Sequence, residues 1–192
     1  MATKGMVTTP HYLASQAALE ILHKGGNAIE AAIAAASTIA VVYPHMNSIG
    51  GDNFWLVYNA KTKEVKSLNS SGRAGHKVTI DFYKEKGYTK IPARGPLAAN
   101  TVPGAVAGWG AAYDYAIAEM DGTLQWRELL EQAIRYAKEG FPVTASQAYW
   151  TKVNLDETDQ EFRALQRFEE FARIFLTTQT NTKKAFVLIL KR

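Results

Sequence analysis

The sequence contains no cysteine, and this absence removes two kinds of chemistry at once. Without thiols the chain forms no disulfide and offers no thiolate as a nucleophile or metal ligand. Its 4 histidines are scattered, and none of their separations matches the spacing of a metal site. From the sequence we therefore expect no metal site and no cofactor.

The chain also has little of what marks membranes, export or nucleic acid. Its long apolar stretch, residues 28–42, is shorter than the roughly 20 residues that cross a bilayer, and it contains Glu30. Residues 1–5 lack the apolar core of a signal peptide, so the expected location is cytoplasmic. The net charge of +4 comes from lysines and arginines interleaved with acids. We therefore expect neither a nucleic acid nor a membrane as partner.

What is present is an ordinary globular composition, with 47% hydrophobic residues in a chain of 192. That length suggests one domain or a piece of a larger one. Periodicity and capping residues predict helices over residues 15–24, 27–42, 101–120 and 145–176, a short helix or turn over residues 80–87, and a helix that starts at Thr123 or Gln125 and ends at Gly140. Two strands, residues 54–59 and 65–68, are predicted around a polar turn.

The second predicted helix is nearly all alanine on its surface. Asn27 and Glu30 have the spacing of a capping box at its start. Because alanine lets neighbouring elements approach closely on every side, we expect this helix to lie at the centre of the fold.

A glycine-rich turn separates that helix from the first strand. It contains Gly50, Gly51 and Asp52. Adjacent glycines permit positive φ and close backbone approach, and the N–H groups of such a turn can bind an anion. The alternative is a tight helix-to-strand connection in which the glycines only relieve a steric problem, with Asp52 as a capping or turn residue.

Four motifs occur in a specific order along the chain: GMVTTPHYLASQAALEILHKGGNAIEAAIAAA, PHMNSIGGDNFWLVYNA, TVPGAVAGW and AIRYAKEGFPV. Together they resemble the N-terminal part of the gamma-glutamyltranspeptidase family, in its divergent acylase and amidohydrolase-like branch. The resemblance implies an α+β fold of the N-terminal-nucleophile hydrolase type, an αββα sandwich of which only the N-terminal portion is expected here. It covers residues 1–176, whereas residues 177–192 are expected to be a tail foreign to the family, from a truncation or frameshift.

The resemblance also implies a mechanism. Family precursors cut themselves into a large and a small subunit, and the new N-terminal threonine attacks an amide carbonyl with its own α-amino group as base. That threonine lies beyond the matched region, so we expect no catalytic residue in this chain and no activity of the chain alone. A small-molecule amide or gamma-glutamyl substrate is expected to bind only when a small subunit completes the site.

The same resemblance suggests where substrate binds. The family arginine that holds the substrate carboxylate aligns with Ser71, and Arg73 follows two residues later. An arginine in a glycine-rich loop can still bind a carboxylate in bidentate fashion, or it can simply face solvent. The candidate substrate-binding residues are Arg73, Ser71, Asp52, Gly50 and Gly51.

Two alternatives remain open on the sequence. The chain could be a non-catalytic structural or interaction module, or one chain of a two-gene amidohydrolase or acylase. A fragment would leave apolar faces exposed on the alanine-rich helix and on the strand from Phe54, and we therefore expect self-association.

Overall fold

A computed structural model describes residues 2–93 and 95–154, together with Glu169, Val187 and Leu188. These residues fall into two compact units. The first comprises Met1–Gly72 and Pro103–Phe141, and the second comprises Arg73–Val102 and Pro142–Arg192.

The first unit begins with two helices, α1 (Tyr12–His23) and α2 (Ala28–Val42), which pack against each other. Helix α1 begins three residues before the predicted start at Ser15. Its N-cap is His11, whose Nδ1 accepts a hydrogen bond from the Leu13 N–H at 3.2 Å. The sequence prediction missed this cap because a serine is the commoner acceptor at that position.

Helix α2 occupies the centre of the unit, as predicted. It contacts α1 on one side and three later helices on others: α4 (Ala105–Glu119), α5 (Trp126–Leu129) and α6 (Glu131–Glu139). Its alanines are buried or half-buried apart from Ala28, so the expected exposure of this helix is wrong. The hydrophobic core forms around Ile33 and Trp109.

Strands β1 (Asn53–Asn59) and β2 (Glu64–Ser70) pair antiparallel with Trp55 opposite Leu68, which confirms the predicted hairpin. One face packs Trp55 and Val57 onto the core. The other face leaves Phe54, Leu56 and Tyr58 exposed at 65%, 78% and 56%. The expected apolar exposure of the Phe54 strand is therefore confirmed.

The predicted helix over residues 123–140 is two helices rather than one. Helix α5 closes in a tight turn, because the Leu130 N–H bonds the Arg127 carbonyl at 3.2 Å, and α6 begins at the next residue. Gly140 ends α6 with a φ of 88°, a left-handed conformation that favours glycine.

The second unit holds α3 (Ile80–Glu85) and α7 (Ala145–Asn154). Strand β3 (Phe141–Pro142) spans the boundary between the units, and β4 (Val187–Leu188) belongs to the second. Tyr83 is buried and donates its hydroxyl to the Leu97 carbonyl at 2.8 Å. The predicted continuation of the last helix to residue 176 lies outside the described residues, apart from the helical Glu169.

The start of α2 is fixed by a buried carboxylate. Glu30 has no exposed surface. Its Oε2 accepts the Asn27 N–H at 2.7 Å, and its Oε1 accepts the N–H groups of Thr123 and Leu124 at 3.0 and 2.8 Å. Asn27 completes the capping box and donates its side-chain amide to the Met120 carbonyl at 3.0 Å. One capping box therefore joins α2 to the segment that follows α4.

None of the helices in the described part of the chain is long and apolar enough to cross a membrane.

Replacing Glu30 by glutamine should destabilise the first unit by about 2–4 kcal/mol, because the side chain has no exposed surface and an amide nitrogen then faces an N–H donor that loses its acceptor. Urea unfolding followed by tryptophan fluorescence measures the loss. Glu128→Gln is the matched control, since Glu128 closes the capping box of α5 at a more exposed position. We expect the control to cost less than about 1 kcal/mol, and equal losses in the two variants would contradict this account.

Candidate functional site

The glycine turn and the loop after β2 are joined by one carboxylate. Asp52 Oδ1 accepts the backbone N–H of Gly72 at 2.9 Å, although the two residues are 20 apart in the chain. A charged acceptor strengthens a hydrogen bond to a backbone N–H. Ser71, between them, is exposed, and its N–H bonds Asn69 Oδ1 at 2.9 Å. Of the candidate residues, Asp52 and Ser71 are therefore brought to one place, with Asp52 acting on the loop backbone.

Helix α4 begins against the same turn. The Gly51 carbonyl accepts the N–H groups of Gly104 and Ala105, both at 3.0 Å. Two of the N–H groups that a helix start leaves without an intrahelical partner are thus satisfied by the turn itself. The first residues of α4 and the turn before β1 consequently hold each other in place.

Neither Gly50 nor Gly51 has the conformation expected for it. Positive φ occurs among the described glycines at Gly25, Gly87, Gly95 and Gly140, and not in this turn. A Cβ on Gly51 would meet no atom within 4 Å, and one on Gly50 would meet only Ser48 Oγ at 3.6 Å. The steric explanation from the sequence is therefore wrong. Their backbone groups are engaged locally: the Gly50 N–H donates to Ser48 Oγ at 3.2 Å, and the Gly51 carbonyl is the acceptor for the start of α4.

Arg73 is the first residue of the second unit and is exposed. Its carbonyl accepts the Val102 N–H at 2.9 Å, beside an antiparallel bridge between Ala74 and Thr101. These bonds fix the backbone of Arg73. In the chain, Arg73 directly follows Gly72, whose N–H is bonded to Asp52.

Two clefts of the first unit are lined by other residues. One, of about 720 Å³, runs between residues 4–10 and helices α1 and α2. The other, of about 380 Å³, lies between the hairpin and α4. Neither of these clefts is lined by Gly50, Gly51, Asp52 or Ser71. Within the described ranges no group of three or more histidine or carboxylate side chains could hold a metal ion.

The side-chain rings of His11, Tyr43 and His45 form a cluster, and the last two residues come shortly before the glycine turn in the chain. The rings of Tyr43 and His45 lie 4.3 Å apart, and those of His11 and Tyr43 lie 6.1 Å apart. Burial lowers the pKa of His11, and the neighbouring charge of His45 lowers it further. Burial also lowers the pKa of His45. Because His11 Nδ1 is the acceptor of the α1 cap, the neutral ring is the form that the fold requires.

Sequence reasoning missed two residues of this region, Gly104 and Gly108. Both lie in a motif that carried the family resemblance, and their i, i+4 spacing puts them on one face of α4. This spacing is visible in the sequence, but it does not indicate which element packs against that face of α4.

The fold identifies the structural class of the protein. The structure superimposes on the gamma-glutamyltranspeptidase of Helicobacter pylori with a TM-score of 0.82 and 26% identity, over 98% of this chain and 51% of that one. The fold is thus that of the N-terminal-nucleophile hydrolases, as predicted.

The sequence comparisons are more specific. The family model "Gamma-glutamyltranspeptidase" matches residues 14–191. Over 156 residues the chain is 49% identical to the glutathione hydrolase-like YwrD proenzyme of Bacillus subtilis, and over 157 residues it is 48% identical to the oxamate amidohydrolase proenzyme of Klebsiella pneumoniae. These matches cover 81% and 82% of this chain, but only 28% and 29% of the two relatives. The chain belongs to the gamma-glutamyltranspeptidase family, and it spans less than a third of the length of these curated relatives.

The lowered pKa of His11 gives the stability a defined pH dependence. Below the ordinary histidine value of 6.5 the unfolded chain takes up a proton that the folded chain resists, so stability is full above pH 6.5 and falls as the pH drops below it. We expect His11→Asn, which keeps a side-chain acceptor at the cap, to reduce that slope by up to about 1.4 kcal/mol per pH unit. His45, whose pKa is also lowered by burial, contributes to the slope that remains.

Urea unfolding at a series of pH values measures the slope. His76→Asn, which removes an exposed histidine of the second unit, is the control and should keep the parent slope. A parent-like slope in the His11 variant would contradict the assignment.

Proposed function

We propose that this chain is the N-terminal part of an enzyme that hydrolyses or transfers the acyl group of a small, carboxylate-bearing amide. The reacting group is an N-terminal threonine that these 192 residues do not supply. Its Oγ attacks the amide carbonyl carbon, the C–N bond breaks, and the nitrogen leaves with a proton. Water or an amine then takes the acyl group from the threonine.

The bond between Asp52 and the Gly72 N–H carries the proposal. It holds the loop whose next residue is Arg73, and a fixed arginine is suited to bind a carboxylate through two parallel hydrogen bonds. Asp52 is then a positioning residue and Arg73 the substrate contact. Ser71, Gly50 and Gly51 border the space into which substrate can come.

The substrate class follows from the family and from the relatives. Oxamate and glutathione, named for two of them, are both amides that also carry a free carboxylate. A carboxylate loses its solvation on entering a pocket and then needs a charged partner. An arginine would supply that partner for both substrates.

The described hydroxyl groups that form hydrogen bonds are engaged in structural roles. Thr9 and Ser15 bond each other at 2.8 Å, and Thr79 and Thr144 accept backbone N–H groups at helix starts. This supports the proposal that the chain alone has no turnover. A second chain or a longer product would supply the small subunit.

A chimaera tests the substrate contact. The segment of the Klebsiella relative that matches this chain, 157 residues, is replaced by the corresponding residues of this chain, and hydrolysis of oxamate is followed by ammonia release. We expect Arg73→Ala to raise KM about 10- to 100-fold with a smaller effect on kcat, because a charge-assisted contact to bound substrate is lost.

Arg127→Ala is the matched control, since Arg127 is an exposed arginine on α5. We expect its KM to stay within about twofold of the chimaera's. An Arg73 variant that behaves like the control would overturn the carboxylate assignment. Turnover by the unsupplemented chain would overturn the assignment of the nucleophile.

Self-association remains part of the proposal, and the exposed hairpin face supports it. We expect the 192-residue chain to elute above its monomer size on size-exclusion chromatography at high concentration. Leu56→Lys, on that face, should shift it toward the monomer. Ile80→Lys is the control, because Ile80 is equally exposed, at 74%, but lies on α3 of the other unit. A sharp monomer peak from the parent chain would favour the alternative of a self-sufficient module.

A further inference from the structure

Gly104, at the N-cap of α4, touches the backbone of the candidate site more closely than any side chain would allow. A Cβ at this position would lie 2.1 Å from the carbonyl oxygen of Ser70 and 3.4 Å from the Gly72 nitrogen. These are backbone atoms of the end of β2 and of the loop that Asp52 holds. They cannot rotate away as a side chain could.

The conformation of Gly104 does not itself require glycine. Its φ of −106° and ψ of −11° are open to any L-residue. The need for glycine therefore comes from the close approach alone. Its own N–H donates to the Gly51 carbonyl, so this one residue lies between the turn before β1 and the loop after β2.

Gly108, one helical turn later, makes a second close approach of a different kind. A Cβ there would lie 2.8 Å from Asn53 Oδ1, from Ser70 Cβ and from Ser70 Oγ. All three are side-chain atoms. By contrast, a Cβ on Gly110 of the same helix would meet nothing within 4 Å among the described atoms.

We propose that Gly104 and Gly108 are positioning residues of the site: they let α4 approach closely enough to hold Ser70–Gly72 against Asp52. The loop is thereby fixed from two sides, by the Asp52 carboxylate and by the helix backbone. This inference rests on the proposed function for its meaning, since the loop matters because it leads into the substrate-binding Arg73.

Hydrogen exchange of the Gly72 amide in the full chain reports the bond directly and needs no substrate. We expect Gly104→Ala to lower its protection about tenfold or more relative to the parent, as Asp52→Ala should by removing the acceptor. The amides of Thr123 and Leu124, which bond Glu30, serve as internal references and should keep their protection.

Gly110→Ala is the matched control. Alanine is a better helix former than glycine, so this variant should keep Gly72 protection and the melting temperature of the parent or exceed them. It separates the ordinary effect of the glycine-to-alanine change from the collision.

A relief variant makes the test stricter and serves if Gly104→Ala does not fold. Gly108→Ala should lower Gly72 protection, and adding Ser70→Gly should restore part of it, because two of the three obstructing atoms are then gone. The same Ser70→Gly change should not relieve Gly104→Ala, where the obstacle is the Ser70 carbonyl.

Unchanged Gly72 protection in both glycine variants would overturn the inference, as would equal losses at Gly72, Thr123 and Leu124, which would mean general destabilisation. The proposed function can fail separately. If the exchange results hold while Arg73→Ala leaves KM unchanged in the chimaera, the glycines position the loop but the loop does not serve carboxylate recognition.

Discussion

The Glu30 carboxylate is the constraint on which the first unit depends. It is fully buried, yet each oxygen accepts backbone N–H groups, from Asn27 on one side and from Thr123 and Leu124 on the other. A buried charge is tolerable only when it is satisfied in this way. These bonds join the start of α2, the central helix, to the segment that follows α4. Helices α1 and α6 pack on this central helix.

Two sets of contacts connect the central helix α2 to the candidate site. The end of α4 is tied to α2 through Asn27 and Met120, and the beginning of α4 receives the Gly51 carbonyl. The glycines near its start bring the helix onto Ser70, and Asp52 bonds Gly72. Each of these contacts involves at least one backbone group. The loop at Ser70–Gly72 is therefore fixed both by the close approach of α4 and by the Asp52 carboxylate.

Much of this fold can be predicted from the sequence, and the exceptions have two physical causes: local hydrogen bonds made by uncommon residues, and contacts between distant segments. The capping box, the central alanine-rich helix and the hairpin are encoded by neighbours within a few residues, and all three are confirmed. The start of α1 at His11, the break at Leu130 and the role of Gly104 depend on local geometry or on contacts more than 30 residues apart. The glycines of the turn illustrate the limit well. The adjacent glycines Gly50 and Gly51 allow positive φ, but neither adopts it, and a Cβ at either position would meet no close contact.

The family identifies a class of chemistry, and the proposed function assigns substrate binding to the residue that follows the Ser70–Gly72 loop in the chain. The central claim is that Arg73 binds the carboxylate of the amide substrate. A crystal structure of the chimaeric enzyme with oxamate bound tests it most directly. The account predicts the oxamate carboxylate in a bidentate pair with the Arg73 guanidinium, at about 2.7–2.9 Å. A carboxylate bound by other residues, with Arg73 facing solvent, would contradict it.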